Sequence, residues 1–123
     1  MADYVPIFKP GMDITLTVGA TAVTGGNLVA LSAANTVIPT TAATAAWIGV
    51  ATQDAAIGAK VGVTSGGVQE LVASGAIAVG AMVTADAAGK VQTVGAGTFG
   101  QVVGVAMTAA AANNDKIRVK MAR

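Results

Sequence analysis

The chain has 123 residues, a net charge of +1 and only 11% charged residues, so it carries little electrostatic drive towards nucleic acid. It contains no Cys and no His, which excludes a disulfide framework and thiol chemistry and removes the commonest general base and metal ligand. Hydrophobic residues make up 54%, but mostly as Ala and Val, with four Leu and four aromatics; such a core is thin, and oligomerisation or docking on a partner is expected.

Residues 1–11 read as an extended N-terminal arm. Tyr4, Val5, Pro6, Ile7, Phe8, Lys9 and Pro10 hold two of the four aromatics, and the two prolines favour extended backbone over helix. Two readings stand: the arm folds back over its own core, or it anchors in a neighbouring subunit or larger assembly. Met1-Ala2-Asp3-Tyr4 has neither a basic region nor an apolar run, so no signal peptide is expected. Mean hydropathy is positive at +0.69. Even so, the charge-free stretch 71–85 falls short of the ~20 residues a span needs. It also contains Ser74, Gly75 and Gly80, so a soluble chain with no membrane partner is expected.

From residue 12 onward the expectation is a single β domain to residue 123, with two related halves at about 26–63 and 80–119. Ile14-Thr15-Leu16-Thr17-Val18 alternates as a half-buried strand does. Gly25-Gly26 turns the chain into the first copy, with strands at 27–31 and 35–38, ended by Pro39. Residues 40–46 form a Thr/Ala spacer, loop or single helical turn, too short for an independent helix. Strands follow at 47–53 and 59–64, separated by a turn at Asp54. Ser65-Gly66-Gly67 then signals a tight hairpin to a strand at 68–73.

The second copy restates the plan, with strands at 81–85, 91–94 and 102–108. Val29-x-x-x-Ala33-Ala34-Asn35-Thr36-Val37 is echoed by Val83-x-x-x-Ala87-Ala88-Gly89-Lys90-Val91, an offset of 54. Ile48-Gly49-Val50-Ala51 returns as Val103-Gly104-Val105-Ala106, and Lys60-Val61-Gly62-Val63 as Lys116-Ile117-Arg118-Val119. Two copies are too few for a solenoid, so the halves pack against each other. In the last strand Ile117, Val119 and Met121 face one way and Lys116, Arg118 and Lys120 the other. With Arg123 these are four of the seven basic residues. They read as the solvated face of an edge strand, or as a stripe that meets an acidic patch on a partner. The fold class is all-β: a small β-sandwich or barrel-like domain built from an internal duplication.

No motif carries chemistry. Gly95-Ala96-Gly97-Thr98-Phe99-Gly100 matches G-x-G-x-x-G, but strand-like residues follow where a dinucleotide site needs a helix. Asp3, Asp13, Asp54, Glu70, Asp86 and Asp115 are scattered, so no catalytic dyad and no metal cluster is expected, and no cofactor. Asp54 and Asp86 read as turn residues that bond their own backbone. Ser32, Ser65 and Ser74 have no His to activate them. Lys90 stands on a hairpin, as the modified lysine of lipoyl and biotinyl carrier domains does, but it lacks their flanking residues and their position between the halves.

Taken in order, Tyr4-Val5-Pro6-Ile7-Phe8-Lys9-Pro10-Gly11, Val23-Thr24-Gly25-Gly26-Asn27-Leu28-Val29, Ile48-Gly49-Val50-Ala51 with Asp54-Ala55-Ala56-x-Gly58, Gly66-Gly67-Val68-Gln69, Ala73-Ser74-Gly75-Ala76-Ile77-Ala78-Val79-Gly80, Ala87-Ala88-Gly89-Lys90-Val91 and Ile117-x-Val119 resemble tailed-phage capsid decoration (head cement) proteins. The resemblance covers nearly the full length. It implies a non-enzymatic, commonly homotrimeric virion protein, made in the host cytoplasm. Such a protein binds the outer surface of the mature capsid and clamps adjacent major-capsid subunits. It also implies that the terminal arm, Tyr4 to Pro10 here, faces the capsid, with Lys116, Arg118, Lys120 and Arg123 a possible secondary contact. The competing reading is a phage tail, fibre or surface-adhesin β module.

Overall fold

A computed structural model describes residues 7–8, 11–95 and 99–123. Among them ten strands alternate with turns: β1 (Ile14–Val18), β2 (Leu28–Ala33), β3 (Thr36–Pro39), β4 (Trp47–Ala51), β5 (Lys60–Thr64), β6 (Val68–Val72), β7 (Met82–Ala85), β8 (Val91–Thr93), β9 (Val102–Ala106) and β10 (Lys116–Met121). Strands β1-β3-β2-β4-β5 close into a barrel, and β6-β10-β9-β7-β8 form a second sheet of five. The all-β expectation holds, and most strand positions fall within a residue or two of those read from alternation. The spacer at 40–46 is irregular chain.

The pairing scheme of the first five strands recurs in the second five. Leu16 opposite Val61 is matched by Leu71 opposite Ile117, and Leu28 opposite Val50 by Met82 opposite Val105. The parallel β1–β3 contact, Val18 opposite Val37, survives in the second sheet as one isolated parallel bridge between Ala73 and Val91. Equivalent side chains fill the two interiors: Leu16, Val29, Val61 and Val63 in the first, Leu71, Val83, Ile117 and Val119 in the second, all buried. The Gly inside each Ile/Val-Gly-Val-Ala motif is required by close approach. A Cβ on Gly49 would meet the Thr64 carbonyl oxygen and one on Gly104 that of Lys120, with a Val methyl 2.8 Å away in both cases.

Two expectations are corrected. Residues 65–67 do not close a hairpin, because β5 already pairs with β1 and β4, while β6 pairs with β10. That turn instead passes the chain from one sheet to the other. Nor is β10 an edge strand; it lies between β6 and β9.

The two sheets meet along a seam. Successive strand residues point to opposite faces, so Val29 enters the first barrel's interior while Leu28 points away from it. Leu28, Trp47 and Val50 join the hydrophobic cluster of the second half. Trp47 is fully buried. The guanidinium of Arg123 stacks 4.4 Å from its ring centroid and donates to the carbonyl oxygens of Ala45 (2.6 Å) and Trp47 (2.7 Å). The turn between β7 and β8 presses on the other side of the seam. There the Thr40 hydroxyl donates to the Asp86 carbonyl at 2.8 Å, and the Gly89 N–H donates to the Thr40 carbonyl at 3.2 Å. A Cβ on Gly89 would lie 2.6 Å from that of Asn27, so only glycine lets the turn approach this closely.

Gly104→Ala is expected to cost about 1–3 kcal/mol by overpacking. Gly75→Ala, where a Cβ meets nothing within 4 Å, should stay within about 0.5 kcal/mol of wild type. Thermal and urea unfolding of both variants check this. Arg123→Ala removes a cation–π contact and two charge-assisted hydrogen bonds, and should lower stability by about 1–3 kcal/mol. Arg123→Lys should recover only part of it, because a lysine cannot stack and fork together.

Candidate interaction surface

The residues predicted to touch a partner fall in three places. Of the arm, Tyr4, Val5, Pro6, Lys9 and Pro10 lie outside the described residues. Ile7 and Phe8 are exposed, at 87% and 39%. Lys116, Arg118 and Lys120 share the outer face of β10, alternating with buried Ile117, Val119 and Met121. Arg123 is not part of that face: its side chain is committed to the Trp47 seam.

The β10 face is amphiphilic, and strand register places its neighbours. Arg118 lies opposite Glu70 on β6, and the Lys116 ammonium comes within 3.9 Å of the Glu70 carboxylate. Both partners are well exposed, so this pair adds little stability. One row further, Val68, Lys120, Val105 and Met82 follow one another across β6, β10, β9 and β7. Val68, Val105 and Met82 are exposed at 50%, 42% and 38%. A basic column flanked by apolar side chains on a continuous sheet can bury area against protein and orient it by charge.

The apolar members of this face are not visible in the sequence pattern. In β7 and β9 both faces carry apolar residues, so alternation does not tell inward from outward. The usable signal lies in the repeat. Met82 and Val105 stand where the first copy has Leu28 and Val50, yet a two-copy chain has one internal seam and covers one such pair.

Several of the chemistry-bearing residues are engaged in structural contacts. Asp54 accepts from the Gly25 N–H at 2.8 Å, bracing a turn 29 residues away and not its own. Asp86 makes no side-chain cap bond. Asp115 does brace its own turn, accepting from the N–H groups of Ala111 and Ala112. The Lys90 ammonium donates to Asn113 (3.0 Å) and Asn114 (2.7 Å), which ties it down in place of presenting it as a carrier arm. Residues 96–98 of the G-x-G-x-x-G lie outside the described residues. The chain beyond them makes one 3-10 turn, Phe99–Gln101, and enters β9. Among the described residues no three His, Cys, Asp or Glu side chains group as metal ligands, and no helix is long and apolar enough to cross a membrane.

Comparison with known proteins adds two findings. The family model for phage cement protein matches residues 8–121. Among solved structures, the crystal structure of the head fiber gp8.5 N base in bacteriophage phi29 is similar to this chain, with a TM-score of 0.72, 17% identity, and 89% of this chain and 92% of that one covered. At that identity the likeness speaks for the fold. No curated protein matches the sequence.

Proposed function

This chain belongs to the phage cement protein family, as a capsid-associated structural protein of phage, and we propose that it binds the outer surface of the mature capsid and stabilises it by clamping adjacent major-capsid subunits. The family match from residue 8 to residue 121 carries the reading. What the residues offer fits it. Asp54, Asp115, Lys90 and Arg123 are engaged in turns and the seam, and the apolar groups left exposed are suited to burial against protein.

The arm is the proposed capsid contact, through Tyr4, Val5, Pro6, Ile7, Phe8, Lys9 and Pro10. Exposed Ile7 and Phe8 lead into it. An extended segment with apolar and aromatic side chains can add as a strand to a sheet edge of the major capsid protein. Main-chain hydrogen bonds would then give affinity and alternate side chains register. In a homotrimer three arms bind together, and effective concentration turns weak single contacts into stable occupancy. The Lys116, Arg118 and Lys120 face is the proposed secondary contact, screened by salt as exposed charges are.

The fold likeness to a head fiber base favours a second reading, in which the chain is a fibre-type module of the particle. Counting copies in purified particles separates the two. A cement protein is expected in numbers comparable to the capsid subunits, and a fibre or tail module in far fewer.

Deleting residues 2–10 should leave a folded protein with unchanged unfolding behaviour that no longer occupies capsids. Charge reversal at Lys116 and Lys120 should weaken occupancy less, and mainly at low salt. Capsid pelleting with quantified bound protein checks both, and saturation of capsids by the truncated chain would remove the arm from the contact.

A further inference from the structure

The duplication provides an internal comparison for a cleft in the second half. A cavity of about 390 Å³ opens at β7 and β8, between Ala43 of the 40–46 spacer and Gln101 of the 3-10 turn Phe99–Gln101. That volume lies in the range of small-ligand sites, about 300–1,000 Å³. Thr84, Gln92, Thr93 and Gln101 line it with hydroxyl and amide groups, and none of its described lining residues is charged. At the matched positions the first copy is apolar. Ala30 lies opposite Ile38 and Trp47, where the second copy sets Thr84 opposite Gln92 and Val102. Ala46, just before Trp47, is replaced by Gln101, just before Val102. Three apolar residues of one copy therefore carry a hydroxyl or an amide in the other, and a valine stands where an indole would fill space. Thr84 is 6% exposed, and its hydroxyl donates to the Gln101 carbonyl oxygen at 3.0 Å, which holds the 3-10 turn at the mouth of the cleft. The Gln92 and Gln101 amides and the Thr93 hydroxyl have no hydrogen-bond partner among the described residues. Phe99, in the same turn as Gln101, is 73% exposed.

We propose that this cleft binds a neutral saccharide, with the Gln92 and Gln101 amides and the Thr93 hydroxyl on its hydroxyl groups and Phe99 against its ring. A primary amide offers a donor and an acceptor together, as each sugar hydroxyl does, so a pair of glutamines can read neighbouring hydroxyls. An ionic ligand would find no charge in the cleft to offset its loss of water. The exposed Phe99 ring gives an apolar face on which the C–H side of a pyranose can rest. Thr84 is a positioning residue, since its hydroxyl is committed to the turn that carries Gln101 and Phe99. One sugar is held weakly by so few groups. Where many copies stand on one particle, weak contacts add through effective concentration. That consequence rests on the capsid-bound reading; the site itself does not.

Titration of the isotope-labelled full-length chain with glucose, galactose, mannose, N-acetylglucosamine and lactose, into the millimolar range, tests this by NMR. At least one of these sugars should shift the side-chain amide signals of Gln92 and Gln101. Those of Gln53 and Gln69, which lie outside the cleft, should stay in place. Gln92→Ala, Gln101→Ala and Phe99→Ala should each weaken binding about tenfold or more, the loss of one hydrogen bond or ring contact. All three should keep wild-type unfolding and wild-type capsid occupancy. Gln92→Met and Gln101→Met, which keep side-chain length without the amide, serve if an alanine variant fails to fold. A chain that binds none of the five sugars would overturn the proposal, as would shifts confined to residues away from the cleft or variants that bind like wild type. Tighter binding of glucuronic acid than of glucose would overturn the neutral chemistry. Loss of capsid occupancy in the cleft variants, with no sugar bound by the wild type, would assign the cleft to protein contact and also overturn it.

Discussion

A thin barrel and a thin five-stranded sheet, both cored mostly by Val and Ala, are held as one body by side chains that leave one interior to complete the other. Leu28, Trp47 and Val50 belong to the strands of the barrel but to the hydrophobic cluster of the second sheet. Trp47 is the largest fully buried side chain, and buried aromatics dominate the energetics of such contacts. Arg123 closes it from outside with a stack and two hydrogen bonds. In a chain whose core is otherwise mostly Val and Ala, this contact concentrates apolar burial where the halves meet.

The seam also explains why equivalent residues have different fates. The repeat places the same apolar pair on the same strands twice, and the interior positions of both copies are buried alike. The outward positions are not, because a chain of two copies has one internal junction and two free ends. Leu28 and Val50 are covered, whereas Met82 and Val105 are not. Such an exposed apolar pair, in register on a sheet, can bury area against protein. The basic column of β10 beside it adds exposed positive charge to the same sheet.

This division of labour suits a structural role on a particle. Asp54 and Asp115 brace turns, Lys90 is tied to two asparagines, and apolar and basic side chains are among the groups left exposed. Membership of the phage cement protein family gives this surface-dominated molecule its setting on the capsid.

The sequence by itself determined the strands, the turns and the duplication. Alternation at Lys116–Met121 and glycine spacing are local signals, and local sterics decide them. It also pointed to the phage cement family through the order of its motifs. Tertiary structure decided what alternation cannot carry. The Ser65-Gly66-Gly67 turn looks like a hairpin because its flanks are strand-like, but the long-range partners of β5 and β6 had already taken their edges. Arg123 reads as one more charge in a basic stripe until a residue 76 positions away turns out to lie beneath it. Asp54 braces a turn 29 residues off for the same reason. Which of two equivalent apolar pairs is covered depends on where the second half packs, and that is a property of the assembled seam, not of either copy.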